Sequence, residues 1–119
     1  MEWVRWGSWM LFAGVALGAF GAHGLKDKLL GDAKQIYQTG VLYHFIHGLG
    51  LLLLGALSSQ RLNQSLIRSA GWFFIAGILL FSGSLYLLSL TGVKKLGMIT
   101  PIGGLAFLAG WLSLALSTR

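Results

Sequence analysis

Charged side chains interrupt this chain at few places, and between them stand four uncharged runs, 6–25, 35–60, 69–93 and 96–118. Each approaches or exceeds the roughly 20 residues that a helix needs to cross a hydrocarbon core, and each is far too long for a barrel strand. A bilayer admits only helices or closed barrels as spanning forms. The pattern therefore predicts an all-α membrane protein with four transmembrane helices in an up-down bundle, spanning about 6–25, 36–57, 70–91 and 98–117 of a single transmembrane domain, 1–119. A soluble core of buried helices has no need of four charge-free runs of this length.

The punctuation agrees. Gly24 and the charged stretch KDKLLGDAK mark the end of the first helix, and SSQRLNQSLIR reads as an aqueous connector. Thr91 and Gly92 can end the third helix. Thr100 and Pro101 suit an N-cap and first turn, because proline's missing amide has no intrahelical partner there. A fourth helix starting at Pro101 is slightly short for a bilayer, which predicts that Leu96–Thr100 also enters the membrane or that the bilayer thins locally. Arg5 followed by an apolar run and Ala19-Phe20-Gly21 imitates a secretory signal, but we read this segment as a retained first helix.

Glycine and aromatic positions add detail. Gly14, Gly18 and Gly21 recur every three or four residues and form a small-residue seam for helix packing; Gly103 and Gly104 do the same in the fourth span. Such a glycine-lined face predicts a homo-oligomer. In an up-down thread, Trp3, Trp6, Trp9, Trp72 and Trp111 fall in the half containing both termini, as an aromatic belt would, with Trp111 deeper than the others. All five lysines (Lys26, Lys28, Lys34, Lys94 and Lys95) fall at the opposite headgroups, and all four arginines on the terminal side. Both types count in the positive-inside rule, so orientation stays open.

Only 10% of the 119 residues are charged and the mean hydropathy is +0.75, against about 25% charged in soluble domains. The net charge of +6 is dispersed over span ends and makes no stripe for nucleic acid. Membrane lipids are the expected partners. With no cysteine, disulfides, thiolate metal sites and cysteine nucleophiles are excluded.

Candidate chemistry centres on YHFIHGLG, 43–50, where His44 and His47 lie one helical turn apart on a shared face. His23 falls in the same half of the membrane. On the third helix Ser82 and Tyr86 share an i,i+4 face that Ser89 extends, and Thr100 adds a hydroxyl. These groups predict a polar pocket between helices, since polar residues in a bilayer face the bundle or a cavity. Three uses are open: a structural hydrogen-bond network, a site for a quinone, lipid headgroup or other hydrophobic ligand, or a metal or haem site. His23, His44 and His47 would fill three positions around zinc or copper and leave one free. No acid lies inside a span, so a di-iron carboxylate site is excluded. Glu2, Asp27 and Asp32 stand too far out to complete a serine triad, and PIGG reads as a helix start and not as a phosphate loop.

The segments GAFGAHGLK, YHFIHGLG, FSGSLYLLSLTG and ITPIGGLAFLAGW occur in this order and together resemble the domain of unknown function 423 family, the YgdD/YwdK-like bacterial inner-membrane proteins. The resemblance covers nearly the whole chain. It implies a small polytopic protein of the bacterial plasma membrane and draws attention to His23, His44, His47, Ser82, Tyr86, Thr100 and Pro101, but supplies no reaction. The residues favour a non-enzymatic lipid- or quinone-binding or membrane assembly module, with a small transporter or channel component, or a metal- or haem-binding membrane enzyme, as alternatives.

Overall fold

The computed structural model describes residues 2–118. Four long helices follow one another: the first Glu2–His23, the second Asp32–Leu57, the third Gln64–Thr91 and the fourth Thr100–Ser117, the last preceded by a 3-10 turn, Lys94–Met98. Three segments, Asp32–Leu57, Gln64–Thr91 and Lys94–Ser117, are long and apolar enough to cross a membrane. The first helix has 22 residues but is diluted by Glu2, Arg5 and four glycines.

Sequence accounts for most boundaries. Gly24 and Leu25 both return their amides to Phe20, closing the first helix. Gly31, with φ 59°, makes the left-handed step into the second. The polar connector is shorter than its composition suggests, because Asn63 accepts the Leu66 amide at 3.2 Å and caps a helix that begins at Gln64. Gly92, at φ 72°, ends the third helix as expected. Thr100 is not an N-cap. It lies inside the fourth helix, and its hydroxyl meets Ser84 Oγ at 2.6 Å across to the third.

Consecutive helices run antiparallel. Along the first helix, Gly7, Gly14 and Gly21 meet Gly48 with Leu52, then Phe45 with His44, then Tyr37, so the second helix descends as the first ascends. The third and fourth pair likewise through Gly77 on Phe107, Phe81 on Gly103 and Phe74 on Gly110. In lipid no hydrophobic force drives helices together, and close approach over small residues supplies the attraction. The glycine seam of the first helix is thus filled by the same chain: a Cβ at Gly14 would meet Phe45 at 3.2 Å, and one at Gly21 would enter the Tyr37 ring. A homo-oligomer has to use another face. Gly7, unmarked in the sequence pattern, belongs to the seam; Gly18, with Val41 at 3.4 Å, sits less tightly.

One irregularity interrupts the middle of the third helix. Residues Ile78–Ser82 form a π-helical turn, in which the Gly83 amide reaches back to the Ile78 carbonyl. The turn holds one extra residue. Buried positions on this helix recur by sevens from Ile67 to Phe74, lengthen to eight from Phe74 to Ser82, and return to seven at Ser89. The π turn thereby keeps Phe74 and Ser82 on one face, both fully buried. It also brings the Phe81 backbone against Gly103, where any Cβ would overlap the Phe81 amide nitrogen.

The outer surface is apolar, with Phe12, Leu30, Leu79, Leu105, Leu108 and Met98 all more than 60% exposed, as a lipid-facing surface would be. Trp3 and Trp6 meet Trp72 edge-on at 5.5 and 6.0 Å on the terminal side. Trp3 is itself buried against Gly71, so it packs the bundle as well as marking that end.

The contrast between neighbouring glycines is testable. Gly103→Ala should lower stability in detergent by about 3 kcal/mol, the upper range for overpacking, since backbone cannot step aside as a side chain can. Gly104→Ala, whose Cβ would lie 3.8 Å from the Phe81 ring, should leave the thermal midpoint nearly unchanged. Equal midpoints for the two variants would contradict this packing.

Candidate functional site

His44 and His47 are both buried, on adjacent stripes of the second helix that repeat by sevens: Tyr37, His44, Leu51 and Gly40, His47, Leu54. Three helical steps turn a side chain by about 300°, so the two imidazoles diverge by about a sixth of a turn. That divergence decides their partners.

His44 points between the first and third helices. Its Nε2 lies 2.7 Å from the Met10 carbonyl, and its Nδ1 lies 2.8 Å from the Tyr86 hydroxyl. A carbonyl only accepts, so Nε2 carries the proton and Nδ1 accepts from Tyr86. His47 points toward the fourth helix. Its Nδ1 donates to the Tyr43 carbonyl at 2.8 Å, and Trp111 Nε1 donates to its Nε2 at 3.0 Å. The ring lies flat on Phe107, centroids 3.5 Å apart and planes within 8°. In their neutral form the two imidazoles are therefore of opposite tautomer, and neither has a free lone pair.

Other buried polar groups are closed in the same way. Ser82 donates to the Gly40 carbonyl at 2.7 Å, Tyr37 to the Leu17 carbonyl at 2.5 Å, and Ser84 to the Phe81 carbonyl at 2.9 Å. Ser89 returns its hydroxyl to the Tyr86 carbonyl at 2.9 Å. Among the described residues no buried side-chain nitrogen or oxygen lacks a partner. An unmet polar group away from water costs about 1–3 kcal/mol, and these bonds avoid that cost.

The expected constellation is therefore partly assembled. His44, Tyr86 and Ser82 converge where the second and third helices meet, whereas Thr100 pairs with Ser84 where the third and fourth helices meet. His23 does not take part: it is exposed in the last turn of the first helix. His47 turns away to Trp111. Among the described residues no three His, Cys, Asp or Glu side chains stand close enough to hold a metal ion, and a metal at His44 or His47 would have to displace Tyr86, Met10, Tyr43 or Trp111. The polar groups form a bonded core in place of the expected pocket.

Open space lies elsewhere. A crevice of about 770 Å³ runs between the first and second helices and their connector, walled by Gly18, Leu29, Tyr37, Val41, Leu42 and Phe45, with Lys26, Lys34 and Gln38 along it. A second, of about 710 Å³, opens between the second, third and fourth helices beside Tyr43, His47, Phe81, Gly104, Phe107 and Trp111. Of the expected pocket residues, His47 alone lines either. Lys28, Lys94 and Lys95 are exposed, with the last two on the 3-10 turn.

Residues 17–104, which contain this core apart from Met10 and Trp111, match the family model described as protein of unknown function (DUF423). The chain belongs to the DUF423 family. It is 47% identical over 103 residues to the UPF0382 membrane protein YwdK of Bacillus subtilis, covering 87% of this chain and 84% of that one. Similar matches, 48% and 49% identical over 104 residues, again with 87% and 84% coverage, are UPF0382 membrane proteins of Staphylococcus haemolyticus and Staphylococcus epidermidis. No solved structure matches. With apolar helices of spanning length, these relatives make the chain an integral membrane protein of a bacterial type.

Sequence reasoning missed Trp111, Phe107, Ser84 and the Met10 carbonyl. Trp111 carried a signal, because an indole placed deeper than a headgroup belt needs a partner for its N–H. Ser84 carried none.

Nitrogen NMR on histidine-labelled protein should show His44 protonated at Nε2 and His47 at Nδ1; the reverse tautomers would rule out these bonds. Tyr86→Phe and Trp111→Phe should each cost about 1 kcal/mol in thermal unfolding, near the range for hydrogen bonds between membrane helices.

Proposed function

We propose that this chain is a non-enzymatic, four-span membrane module of the bacterial plasma membrane that holds an anionic lipid against its lysine-side end. The observation that carries this reading is the crevice between the first two helices, which joins an apolar wall to Lys26 and Lys34. A phosphate headgroup would lie between the two ammonium groups, while an acyl chain follows Val41, Leu42 and Phe45. Its volume of about 770 Å³ falls within the roughly 300–1,000 Å³ of small-ligand sites.

The first helix counts as the fourth span because its 22 residues reach about 33 Å, and its glycine seam follows the second helix from Tyr37 to Gly55. It also exposes Phe12, Val15 and Phe20, side chains suited to lipid. The paired imidazoles act as helix clamps in this reading. Transport has less support, since the buried polar side chains are held by backbone carbonyls and by one another.

A juxtamembrane lysine adds about 1 kcal/mol of attraction for an anionic surface, so two should enrich an anionic lipid about 30-fold at low salt. Native mass spectrometry in mixed phosphatidylglycerol and phosphatidylcholine nanodiscs should show selective retention of phosphatidylglycerol. Lys26→Gln with Lys34→Gln should remove most of that selectivity while leaving the thermal midpoint in place. Equal retention by the doubly substituted protein would sink the lipid-site reading.

A further inference from the structure

The second crevice differs in chemistry from the first. It has no charged side chain: Leu42, Ile46, Leu105 and Leu108 give it an aliphatic rim, and aromatic rings line its depth. Tyr43 packs on Phe81 at 4.6 Å and lies nearly parallel to Phe107 at 6.2 Å. Gly104 opens the wall opposite, with nothing nearer than 3.8 Å to the place a Cβ would take.

Tyr43 is also chemically unfinished. Its carbonyl serves His47, but its hydroxyl makes no hydrogen bond among the described residues, whereas Tyr37 and Tyr86 both donate. Tyr43 stands near the middle of the 26-residue second helix and is 37% exposed toward the apolar surroundings. A phenol in hydrocarbon seeks an acceptor. His47 cannot provide one, because both its ring nitrogens are engaged. The neighbouring Trp111 N–H is likewise committed, which leaves the Tyr43 hydroxyl, among the described residues, as the free side-chain donor at this crevice.

We propose that the crevice binds an isoprenoid quinone, with one ring carbonyl accepting the Tyr43 hydroxyl, the ring lying against the exposed parts of Tyr43, Phe81 and Phe107, and the tail running out past Leu105 and Leu108. The match is one of chemistry. A quinone is flat, uncharged and electron-poor, which suits aromatic faces, and its carbonyls are acceptors that travel within the hydrocarbon. A phospholipid brings an anionic phosphate, for which this crevice has no cation; the cations line the other one. The proposal stands on residues separate from the lysine site and does not depend on it.

The test uses the full chain in nanodiscs, titrated with decylubiquinone and read by tryptophan fluorescence, since Trp111 lines the crevice. The expected result is a saturable quenching component at one quinone per chain. Tyr43→Phe should weaken it about tenfold, which corresponds to about 1.4 kcal/mol. Gly104→Leu should abolish it by filling the crevice, and Leu108→Trp provides a second block from the exposed rim should Gly104→Leu fail to fold. Lys26→Gln with Lys34→Gln should leave it unchanged, so failure here and failure of the lipid site are separable. Purely linear quenching, or equal affinity in Tyr43→Phe, overturns the proposal. So does displacement by an ester-linked phospholipid but not its ether analogue, which would give the phenol to a lipid ester, and so does a dimer that Leu108→Trp dissociates without any quinone effect.

Discussion

His44 ties three helices together with two hydrogen bonds. It stands on the second helix, donates to a carbonyl of the first and accepts from a tyrosine of the third. In water such bonds would compete with solvent; in hydrocarbon the alternative is an orphaned polar group, so the bonds are obligatory even where their net contribution is modest. The placement of the first helix follows from this constraint. To keep Met10 within reach of His44, the first helix must lie close along the second, and Gly7, Gly14 and Gly48 allow that approach.

Close approach on the other side is arranged by rings seated on glycines. Phe107 covers Gly77, Phe74 covers Gly110, and Phe81 presses backbone to backbone on Gly103. These contacts hold the fourth helix where Trp111 can reach His47. The π turn is the adjustment that makes both sets compatible: without its extra residue, Ser82 would rotate away from the Gly40 carbonyl and Tyr86 away from His44. π turns recur at functional sites, and here the turn sits between the bonded core and the aromatic crevice, with Phe81 contributing to the crevice and Ser82 to the core.

Much of this was legible in the chain itself. Uncharged runs located the helices, Gly92 marked an end, and the spacing of His44 and His47 placed both on a buried face. What stayed hidden depended on rotations smaller than a periodic pattern resolves. The sixth of a turn between the two imidazoles sends them to different helices, so a common pocket did not form. No local residue pattern announces a π turn, since Ile78–Ser82 reads as ordinary apolar helix. Thr100 looked like a cap because Pro101 follows it, but a hydroxyl inside a bundle is drawn to another hydroxyl, and Ser84 was within reach. The glycine stripe was visible as a packing face, yet a stripe does not say whether its partner is a second copy or the next helix.

The division between core and crevices bears on where any ligand can act. A polar core in which every buried side-chain group among the described residues is bonded resists entry, because a guest must break bonds between helices before forming its own. Crevices beside that core impose no such cost. The His47 ring joins the two regimes: one face stacks on Phe107, its nitrogens are held by Tyr43 and Trp111, and it still lines the aromatic crevice. A guest stacking on Phe107 or Tyr43 would press on residues that fix His47, and through Phe81 on the π turn. Occupancy of the crevice would thereby be coupled to the helix contacts around it, because the ring that borders the crevice is the same ring that joins the second helix to the fourth.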